Sequence, residues 1–341
     1  MSTPPTSNDV ARLAGVAQST VSYVLTGKGR VSDDTRQRVL DAAAALNYQP
    51  NAGAQALRSR KSRVLGLMFP VHALGSQPGR LWFLTAVVAA CREQGYDALV
   101  VTADEGPEGL RRLAGTALCD GLLVMEVKDR EPLTLASEEL RVPTVFVGVP
   151  THHASVICVA RDYARAGALC VEKLTDAGAQ HISLLCPAGD YLSSLNYHRR
   201  FVRGAVVEAG KRGVTLAQRP VEPSFLGLHD AMGSLLEDGT APDGILTGPA
   251  VSSTDAAAAL LLHHRTPGTD IGLVGVREDA SPSDGPRGLT LAGADLSGTE
   301  LARRSVARLI ELIDGVPGAL SAGDVDLIAP LWIPGTSLQP S

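Results

Sequence analysis

Residues 7–48 read SNDVARLAGVAQSTVSYVLTGKGRVSDDTRQRVLDAAAALNY, and the spacing of their apolar side chains predicts three short helices. The first is predicted over residues 7–14, with Ser7 as its N-cap and Asp9 in the first turn, where an acid favours the helix dipole. Gly15 then breaks the helix. The apolar face of this helix would consist of Val10, Leu13 and Ala14.

Two further helices are predicted in the same stretch. Residues 18–25 (QSTVSYVL) form the second, and the loop 26–29 (TGKG) follows it. The third begins after Ser32 as N-cap and runs to about residue 46, with two aspartates in its first turn. The buried side chains would be Val21, Val24 and Leu25 in the second helix, and Val39, Leu40, Ala43 and Leu46 in the third.

Two short helices joined by a tight glycine turn and supported by a third have the geometry of a helix-turn-helix domain, whose second helix enters the DNA major groove. A glutamine amide can read adenine edges, a serine hydroxyl can donate or accept, and a tyrosine hydroxyl can reach a base or a phosphate. The spacing alone also fits a small three-helix domain whose polar side chains form a solvated face. The outward residues would be Gln18, Ser19, Ser22 and Tyr23.

Many positions between residues 9 and 58, in order and spacing, resemble the DNA-binding head of the lactose-repressor (LacI/GalR) family. The matching elements are Asp9-Val10-Ala11, Ala14-Gly15-Val16, Thr20-Val21-Ser22, Gly27, Val31-Ser32, Thr35-Arg36, Arg38-Val39, Tyr48, Pro50-Asn51 and Leu57-Arg58. The resemblance implies binding to a double-stranded DNA operator. It also implies phosphate contacts from Thr6, Ser7, Thr20, Ser32 and Asn51.

Two positions of the second helix depart from the family's pattern. Ala17 stands where the family usually has Ser or Thr, so a side-chain cap worth about 0.5–2 kcal/mol is lost. Tyr23 stands where an arginine is often found. The resemblance therefore predicts DNA binding and leaves the operator sequence open.

Residues 50–62 form the predicted hinge between the head (1–49) and the body (63–337). Its segment NAGAQALR is too short to persist as an isolated helix, since helices below about 12–15 residues are marginal in water, which indicates a flexible linker. The resemblance implies that the segment becomes a helix on operator binding, with Leu57 wedged between base steps in the minor groove and Ala54 and Arg58 beside it.

The charge of the chain is unevenly distributed. The formal net charge over 341 residues is -5, but residues 1–63 hold nine Lys/Arg and four Asp/Glu, a net charge of +5. The remaining 278 residues hold 22 basic and 32 acidic side chains, a net charge of -10. A basic head suits an approach to phosphate, and an acidic body suits a part that stays off DNA.

From residue 64 onward, short apolar runs alternate with longer amphipathic ones, which indicates an α/β fold with parallel sheets covered on both faces. Strands are predicted at 64–69, 98–102, 121–127, 144–149, 156–159, 181–186, 214–217, 243–247 and 271–276. Helices are predicted near 81–95, 108–118, 163–177, 195–211, 228–238, 253–264 and 297–314.

The body resembles the two-lobed, periplasmic-binding-protein-like core (type I) of the same family. The resemblance implies a first lobe of about 63–160 plus 291–322 and a second lobe of about 161–290, with the C-terminal tail crossing back. In such folds a small molecule binds in the interlobe cleft, at the carboxyl ends of the strands.

The positions expected to line this cleft depart from the family's pattern. The family's acid after the first strand is missing from VHALGSQPGRLWF (71–83), its Asn-Asp aligns with Gly248-Pro249-Ala250, and its Asp-Asp aligns near Arg277-Glu278. Its effector-contacting arginine fits Arg200 or, by the spacing to Gly204, Arg203. The candidate cleft residues are His72, Arg80, Phe83, Arg200, Pro249 and Arg277.

Two interpretations of this cleft stay open. Sugar hydroxyls favour carboxylate acceptors, so their loss indicates an effector other than a simple neutral sugar, such as an anion met by Arg80, Arg200 and Arg277. Alternatively, these arginines are solvated or paired structurally, and the cleft binds weakly or not at all.

Several classes of protein are excluded by the sequence. A hydrophobic content of 45% is too high for a disordered chain. No apolar run reaches about 18 residues, so no membrane association is predicted. The N-terminus does not resemble a secretory signal. The five cysteines are scattered without a CxxC motif, which indicates reduced and mostly buried thiols.

No catalytic residue, metal or cofactor is predicted. The pairs His152-His153 and His263-His264 lack a complementary carboxylate at metal-ligand spacing and are expected on the surface. Ser193-Ser194 lacks the GxSxG elbow of a hydrolase, and no GxGxxG or GxxxxGK[ST] fingerprint for a nucleotide is present.

The sequence therefore predicts a homodimeric, sequence-specific transcriptional regulator, a repressor by family precedent, which is cytoplasmic and nucleoid-associated when bound to its operator. One head reads half a site, so two heads match a palindromic operator. An effector between the lobes would change operator affinity by shifting their orientation. The dimer face would include the helices near 81–95 and 108–118. The alternative is a solute-binding protein of the same body fold without a DNA function, against which the intact head and hinge argue.

Overall fold

A computed structural model describes residues 5–26, 30–48, 61–69, 78–102, 105–116, 118–125, 127, 133–189, 196–237, 241–277 and 285–339. The chain divides into two compact units, residues 1–63, which contain the predicted head and hinge, and residues 64–341, which contain the body. Among the described residues, no helix has the length and apolar character needed to cross a membrane.

The head consists of the three predicted helices, α1 (Ser7–Ala14), α2 (Gln18–Thr26) and α3 (Asp33–Ala45). Arg38 of α3 donates a hydrogen bond from Nη1 to the Ala14 carbonyl oxygen at 3.4 Å, which ties α3 to the last turn of α1. Small residues dominate the shared core, so three short helices can approach closely. The core consists of Val10, Ala11, Ala14, Val21, Val24, Val39, Ala42 and Ala43.

The first helix spans the predicted residues 7–14, but its N-cap lies one residue earlier than predicted. Thr6, not Ser7, is the N-cap: its Oγ1 accepts from the Asp9 backbone N–H at 3.4 Å, and the Asp9 carboxylate accepts from the Thr6 backbone N–H at 2.9 Å. These two bonds form a capping box, which provides acceptors for two backbone N–H groups that have no partner within the helix. Gly15 closes α1 with φ at 66°, and Ser32 caps α3 as predicted.

Two leucines predicted to be buried in the head core are exposed. Leu13 retains 56% and Leu40 retains 43% of their accessible surface, whereas Ala11 and Ala42 are buried. Helical periodicity predicts which residues of a helix are buried only to within a residue or two. The contact between the helices favours the smaller alanines, which let the backbones approach, and displaces the leucines to the edge.

The body contains two six-stranded sheets. The first has the strand order β11-β5-β4-β3-β1-β2, and every neighbouring pair is parallel. Its strands are β1 (Val64–Phe69), β2 (Asp97–Thr102), β3 (Gly121–Val124), β4 (Thr144–Val147), β5 (Ile157–Arg161) and β11 (Val325–Ile328). Its connecting helices are α4 (Pro78–Glu93), α5 (Gly106–Gly115) and α6 (Leu133–Glu138).

The second sheet has the order β12-β10-β9-β8-β6-β7, parallel except for β12, which runs antiparallel to β10. Its strands are β6 (His181–Pro187), β7 (Thr215–Val221), β8 (Gly244–Thr247), β9 (Gly272–Arg277), β10 (Ala292–Asp295) and β12 (Leu331–Ile333). The helices around it are α7 (Tyr163–Asp176), α8 (Asn196–Arg212), α9 (Phe225–Glu237) and α10 (Ser253–Leu262).

The chain passes between the sheets three times, which defines two lobes. It crosses after Arg161, returns after Asp295 into α11 (Gly298–Asp314), which packs on the first sheet, and crosses again after Ile328. The predicted first-lobe segment 291–322 therefore differs from the structure at both ends. Residues 292–295 pair with β9 in the second sheet, and the first lobe extends to β11.

The two faces of each sheet are covered by apolar clusters, as the near-continuous apolar strands predict. All five cysteines are free and buried within them. Burial raises the pKa of the Cys91 thiol to about 11 and that of Cys170 to about 12, so these thiols stay protonated. The predicted buried thiols are confirmed.

Asp326 of β11 ties α11 to the first sheet and supports a prediction. Its side chain is 8% exposed and accepts from Arg304 Nη2 at 2.7 Å and Arg308 Nε at 2.9 Å. Burial raises the pKa of Asp326, but hydrogen bonds from Arg308 and Arg304 outweigh it and leave this pKa lowered. The stabilisation is therefore fully present above the unfolded-state pKa and is lost as the pH falls through the folded-state value.

We expect Asp326→Asn to lower the free energy of unfolding near pH 7 by roughly 2 kcal/mol, below the usual cost of breaking a buried pair because both arginines can rehydrate. The measurement is urea unfolding of both proteins from neutral pH downwards. The difference in the free energy of unfolding between the two proteins should become smaller toward pH 3. A difference that does not depend on pH would contradict a stabilising role for the charged Asp326 carboxylate. Asp230→Asn, at an exposed aspartate, is the control and should change little.

Candidate functional site

The polar surface of the head is built around the start of α2. Gln18 Nε2 donates a hydrogen bond to Ser7 Oγ at 3.0 Å, which brings the first residues of α1 and α2 together. Ser19 is exposed, and Tyr23 is exposed by 52%, one turn further along α2. Residues predicted to read bases therefore lie beside one predicted to bind phosphate.

The first turn of α2 has no side-chain cap from Ala17. The backbone N–H groups of Thr20 and Val21 donate to the Ala17 carbonyl oxygen at 2.9 and 3.3 Å, so the helix begins there in spite of the alanine. Thr20 and Ser22 are half-buried on this helix. Because alanine has no side-chain oxygen, residue 17 caps this turn only through its backbone carbonyl.

The predicted phosphate contacts Thr6 and Ser32 are the N-caps of α1 and α3. A hydrogen bond from the Thr6 hydroxyl, followed by one from the Thr6 backbone, lowers the pKa of Asp9, which keeps its carboxylate charged in the capping box. Any phosphate contact by these two residues must share the hydroxyls with their capping roles.

Several predicted site residues lie outside the described residues. In the hinge these are Asn51, Ala54, Leu57 and Arg58, and after β1 it is His72. Arg80 lies in α4, but its side chain is also outside what the structure describes.

The candidate cleft lies where the carboxyl ends of the strands of one sheet approach those of the other. Asn196, the first residue of α8, donates from Nδ2 to the carbonyl oxygen of Val149, which follows β4 of the first lobe. Its Oδ1 accepts from Arg200 Nε at 2.7 Å. Asn196 is buried and Arg200 half-buried. One asparagine thus connects the two lobes and orients the predicted arginine.

An aromatic and basic cluster continues from this contact. The guanidinium carbon of Arg161 lies 5.7 Å from the Phe83 ring centroid, within cation–π range, and Nη1 donates to the Tyr163 hydroxyl at 3.0 Å. The rings of Tyr163 and Tyr197 are 5.1 Å apart between centroids. Phe83 was predicted, whereas Arg161, Tyr163, Tyr197 and Asn196 were not, because their proximity depends on how the lobes meet.

Arg277 and Pro249 occupy different positions from Arg200. Arg277 Nη1 donates to the Leu291 carbonyl oxygen at 3.2 Å, and Leu291 precedes β10, so this side chain folds back toward the amino end of the sheet. Pro249 is buried beside the end of β8. The structure places Arg200 at the junction of the lobes and directs Arg277 away from it.

The head matches the family model described as "Bacterial regulatory proteins, lacI family" over residues 6–51. The HTH-type transcriptional regulator CelR of Thermobifida fusca is 27% identical over 319 residues, which cover 89% of this chain and 92% of that protein. Residues 6–51 therefore form a lacI-family head, and the chain as a whole is similar to HTH-type transcriptional regulators of that family. The predicted family resemblance is confirmed.

Other relatives match this chain over different lengths. The HTH-type transcriptional regulator MalR of Staphylococcus xylosus is 26% identical over 191 residues, which are 54% of this chain and 57% of that protein. A crystal structure of the lac repressor dimer bound to operator and the anti-inducer ONPF has a TM-score of 0.78 at 25% identity, covering 99% of this chain and all of that one. This likeness confirms the predicted fold class.

Proposed function

We propose that this LacI-family regulator is a repressor that binds a palindromic DNA operator as a homodimer, and that a small molecule in the interlobe cleft modulates this binding. The observation that carries the proposal is the surface at the start of α2, where Gln18 and Ser7 are hydrogen-bonded and Tyr23 is exposed. The structural likeness to an operator-bound repressor dimer supports it. The regulator acts in the cytoplasm, on the nucleoid when bound.

In this proposal α2 lies in the major groove and reads base edges through Gln18, Ser19, Ser22 and Tyr23. Phosphate contacts from the caps and neighbouring residues position the head without carrying sequence information. The hinge adds Ala54, Leu57 and Arg58 in the minor groove. The phosphate contacts are Thr6, Ser7, Thr20, Ser32 and Asn51.

The dimer face is proposed on the first lobe, at α4 and α5 and the strand between them. Leu81 and Trp82 of α4 are exposed, as are Val100 on the edge strand β2 and Leu118 just after α5. Large apolar side chains that are exposed near an unpaired strand edge are typical of an interface between subunits. A second copy placed there would present two heads to the two halves of a palindrome.

DNase footprinting over the promoter region adjacent to the gene of this protein tests the proposal. A protected palindrome, lost progressively as salt rises, is the expected result, because phosphate contacts release counterions. No protection at low salt would contradict the DNA-binding proposal and favour a solute-binding protein with this body. Sedimentation of the protein alone tests the dimer independently.

Replacing Leu57 by alanine is expected to weaken operator binding while leaving the dimer intact. An alanine cannot wedge between base steps, so the kink that opens the minor groove is no longer stabilised. The measurement is a gel-shift titration combined with sedimentation. Unchanged operator affinity would show that Leu57 is not the wedge, and a loss of the dimer would place it in the subunit interface.

A further inference from the structure

A hydrogen bond between side chains joins the first residue of α1 to the first residue of α2. Gln18 Nε2 donates to Ser7 Oγ at 3.0 Å, and both residues are half-buried. In a helix-turn-helix head, residues at the amino end of the second helix contact base edges. The bond therefore holds an amide group at the position where the proposed major-groove helix begins.

The direction of this bond determines which atoms Gln18 presents to DNA. Its amide has two N–H donors and one carbonyl oxygen, and half a turn about the last side-chain bond exchanges the places of nitrogen and oxygen. The bond to Ser7 uses one hydrogen of Nε2. With the nitrogen held in this way, Oε1 and the second Nε2 hydrogen form an acceptor beside a donor.

The Ser7 hydroxyl also has the polarity that a phosphate contact requires. Its oxygen accepts from Gln18, and its hydrogen, which that bond does not use, can be donated to a phosphate oxygen. The Thr6 hydroxyl, by contrast, donates to the Asp9 carboxylate at 2.7 Å, so its hydrogen is used within the capping box. A phosphate that takes the Ser7 hydrogen leaves Oγ only as an acceptor, so the oxygen of Gln18 cannot replace its nitrogen there.

An acceptor beside a donor matches the major-groove edge of one base. Adenine presents the N6 donor and the N7 acceptor, which a glutamine amide meets with two hydrogen bonds, whereas guanine presents two acceptors, N7 and O6. We propose that Ser7 is a positioning residue that holds Gln18 as a reader of adenine, so that an A·T pair occupies the Gln18 position of each half-site. This inference rests on the proposed DNA binding and names the base that one residue selects.

Selection of binding sites from random duplex DNA by the full-length protein, followed by gel-shift titration of variants in one half-site, tests this inference. The wild type should prefer A·T over G·C at the Gln18 position by about five- to 150-fold, the range for one bidentate pair. Gln18→Ala identifies that position, because the preference is lost there. Ser7→Ala should reduce the same preference at least threefold and leave the other positions unchanged.

Three further variants separate positioning from a general loss of binding. Ser7→Thr keeps the hydroxyl and should keep the preference for A·T. Ser32→Ala removes the side-chain cap of α3, so it may weaken binding of every sequence but should leave the base preferences unchanged. In the Gln18→Ala background, adding Ser7→Ala should have no further effect on base preference, because the two residues act as one unit.

Two results overturn the inference. One is a preference for a base pair other than A·T at the position that responds to Gln18→Ala. The other is an unchanged set of base preferences in Ser7→Ala, which would make Ser7 a phosphate contact or a structural residue without a positioning role. Either result, obtained on a selected palindrome, leaves the proposed repressor function standing, whereas the absence of any selected or protected DNA rejects that function itself.

Discussion

Replacing Gln18 and Tyr23 together by alanine is expected to weaken operator binding by about 2–6 kcal/mol for each half-site, or roughly thirty-fold to twenty-thousand-fold, if each residue makes one base contact worth about 1–3 kcal/mol. Gln18 starts α2 and is held by Ser7, so its amide is oriented before DNA arrives. Tyr23 is exposed one turn later. Gel-shift titration against the footprinted palindrome measures the loss.

Gln37→Ala is the matched control for this experiment. Gln37 is an exposed glutamine of α3 whose Nε2 donates to Asp41 at 2.8 Å, away from the proposed reading surface, and its loss should leave operator affinity unchanged. Each single variant, Gln18→Ala and Tyr23→Ala, should also change which half-site bases are preferred. An equal loss of affinity for every half-site sequence would instead show that these residues contact phosphates. Thermal unfolding must accompany the test, because Gln18 also contributes a hydrogen bond within the head.

Replacing Gly204 by alanine is expected to destabilise the second lobe by about 3 kcal/mol, at the upper end of what overpacking a core usually costs. Gly204 of α8 lies against the backbone of Ala164 in α7, and an added Cβ would overlap its carbonyl group. Gly167 of α7 has the reciprocal contact with the backbone of Phe201 in α8. Because the obstacles are backbone atoms, no side chain can rotate away, and the two helices must separate.

Gly210→Ala, in the same helix, should have the opposite effect. Gly210 is exposed, and nothing lies within 4 Å of the Cβ that alanine would add. Alanine there removes the entropic penalty of a helical glycine, so the variant should gain about 0.5–1 kcal/mol. Urea unfolding of the two variants beside the wild type decides the matter. Equal effects would show that helix propensity, and not the close approach of α7 and α8, governs position 204.

The head was predicted nearly to the residue, because its signals are local. Apolar spacing, a serine N-cap and a helix-ending glycine act within one turn, and they place α2 and α3 within a residue of their observed bounds. The errors are of the same local scale: Thr6 replaces Ser7 as the cap, and Leu13 and Leu40 are exposed. Periodicity determines a face only approximately, and packing selects the residues within it.

The cleft could be predicted only in part. Arg200 and Phe83 follow from the family resemblance, and the structure places both near the lobe junction. Arg277 was expected with them, but its side chain turns back to Leu291. The sequence pattern of a strand predicts which residue lies at its end. It does not predict the rotamer of a long side chain, because the rotamer depends on the neighbours of that side chain in space.

By itself, the sequence determined a three-helix DNA-binding head, its charge of opposite sign to the body, and a body of alternating strands and helices. The helices, the strands and the charge follow from periodicity, capping and composition, whereas DNA binding follows from the resemblance of the head to the LacI/GalR family. Tertiary structure alone decided that 292–295 joins the second sheet, and that Asn196 meets both Val149 and Arg200. Val149 and Asn196 are brought together across the lobe junction, and only the packing of the two lobes determines which of their polar atoms can pair.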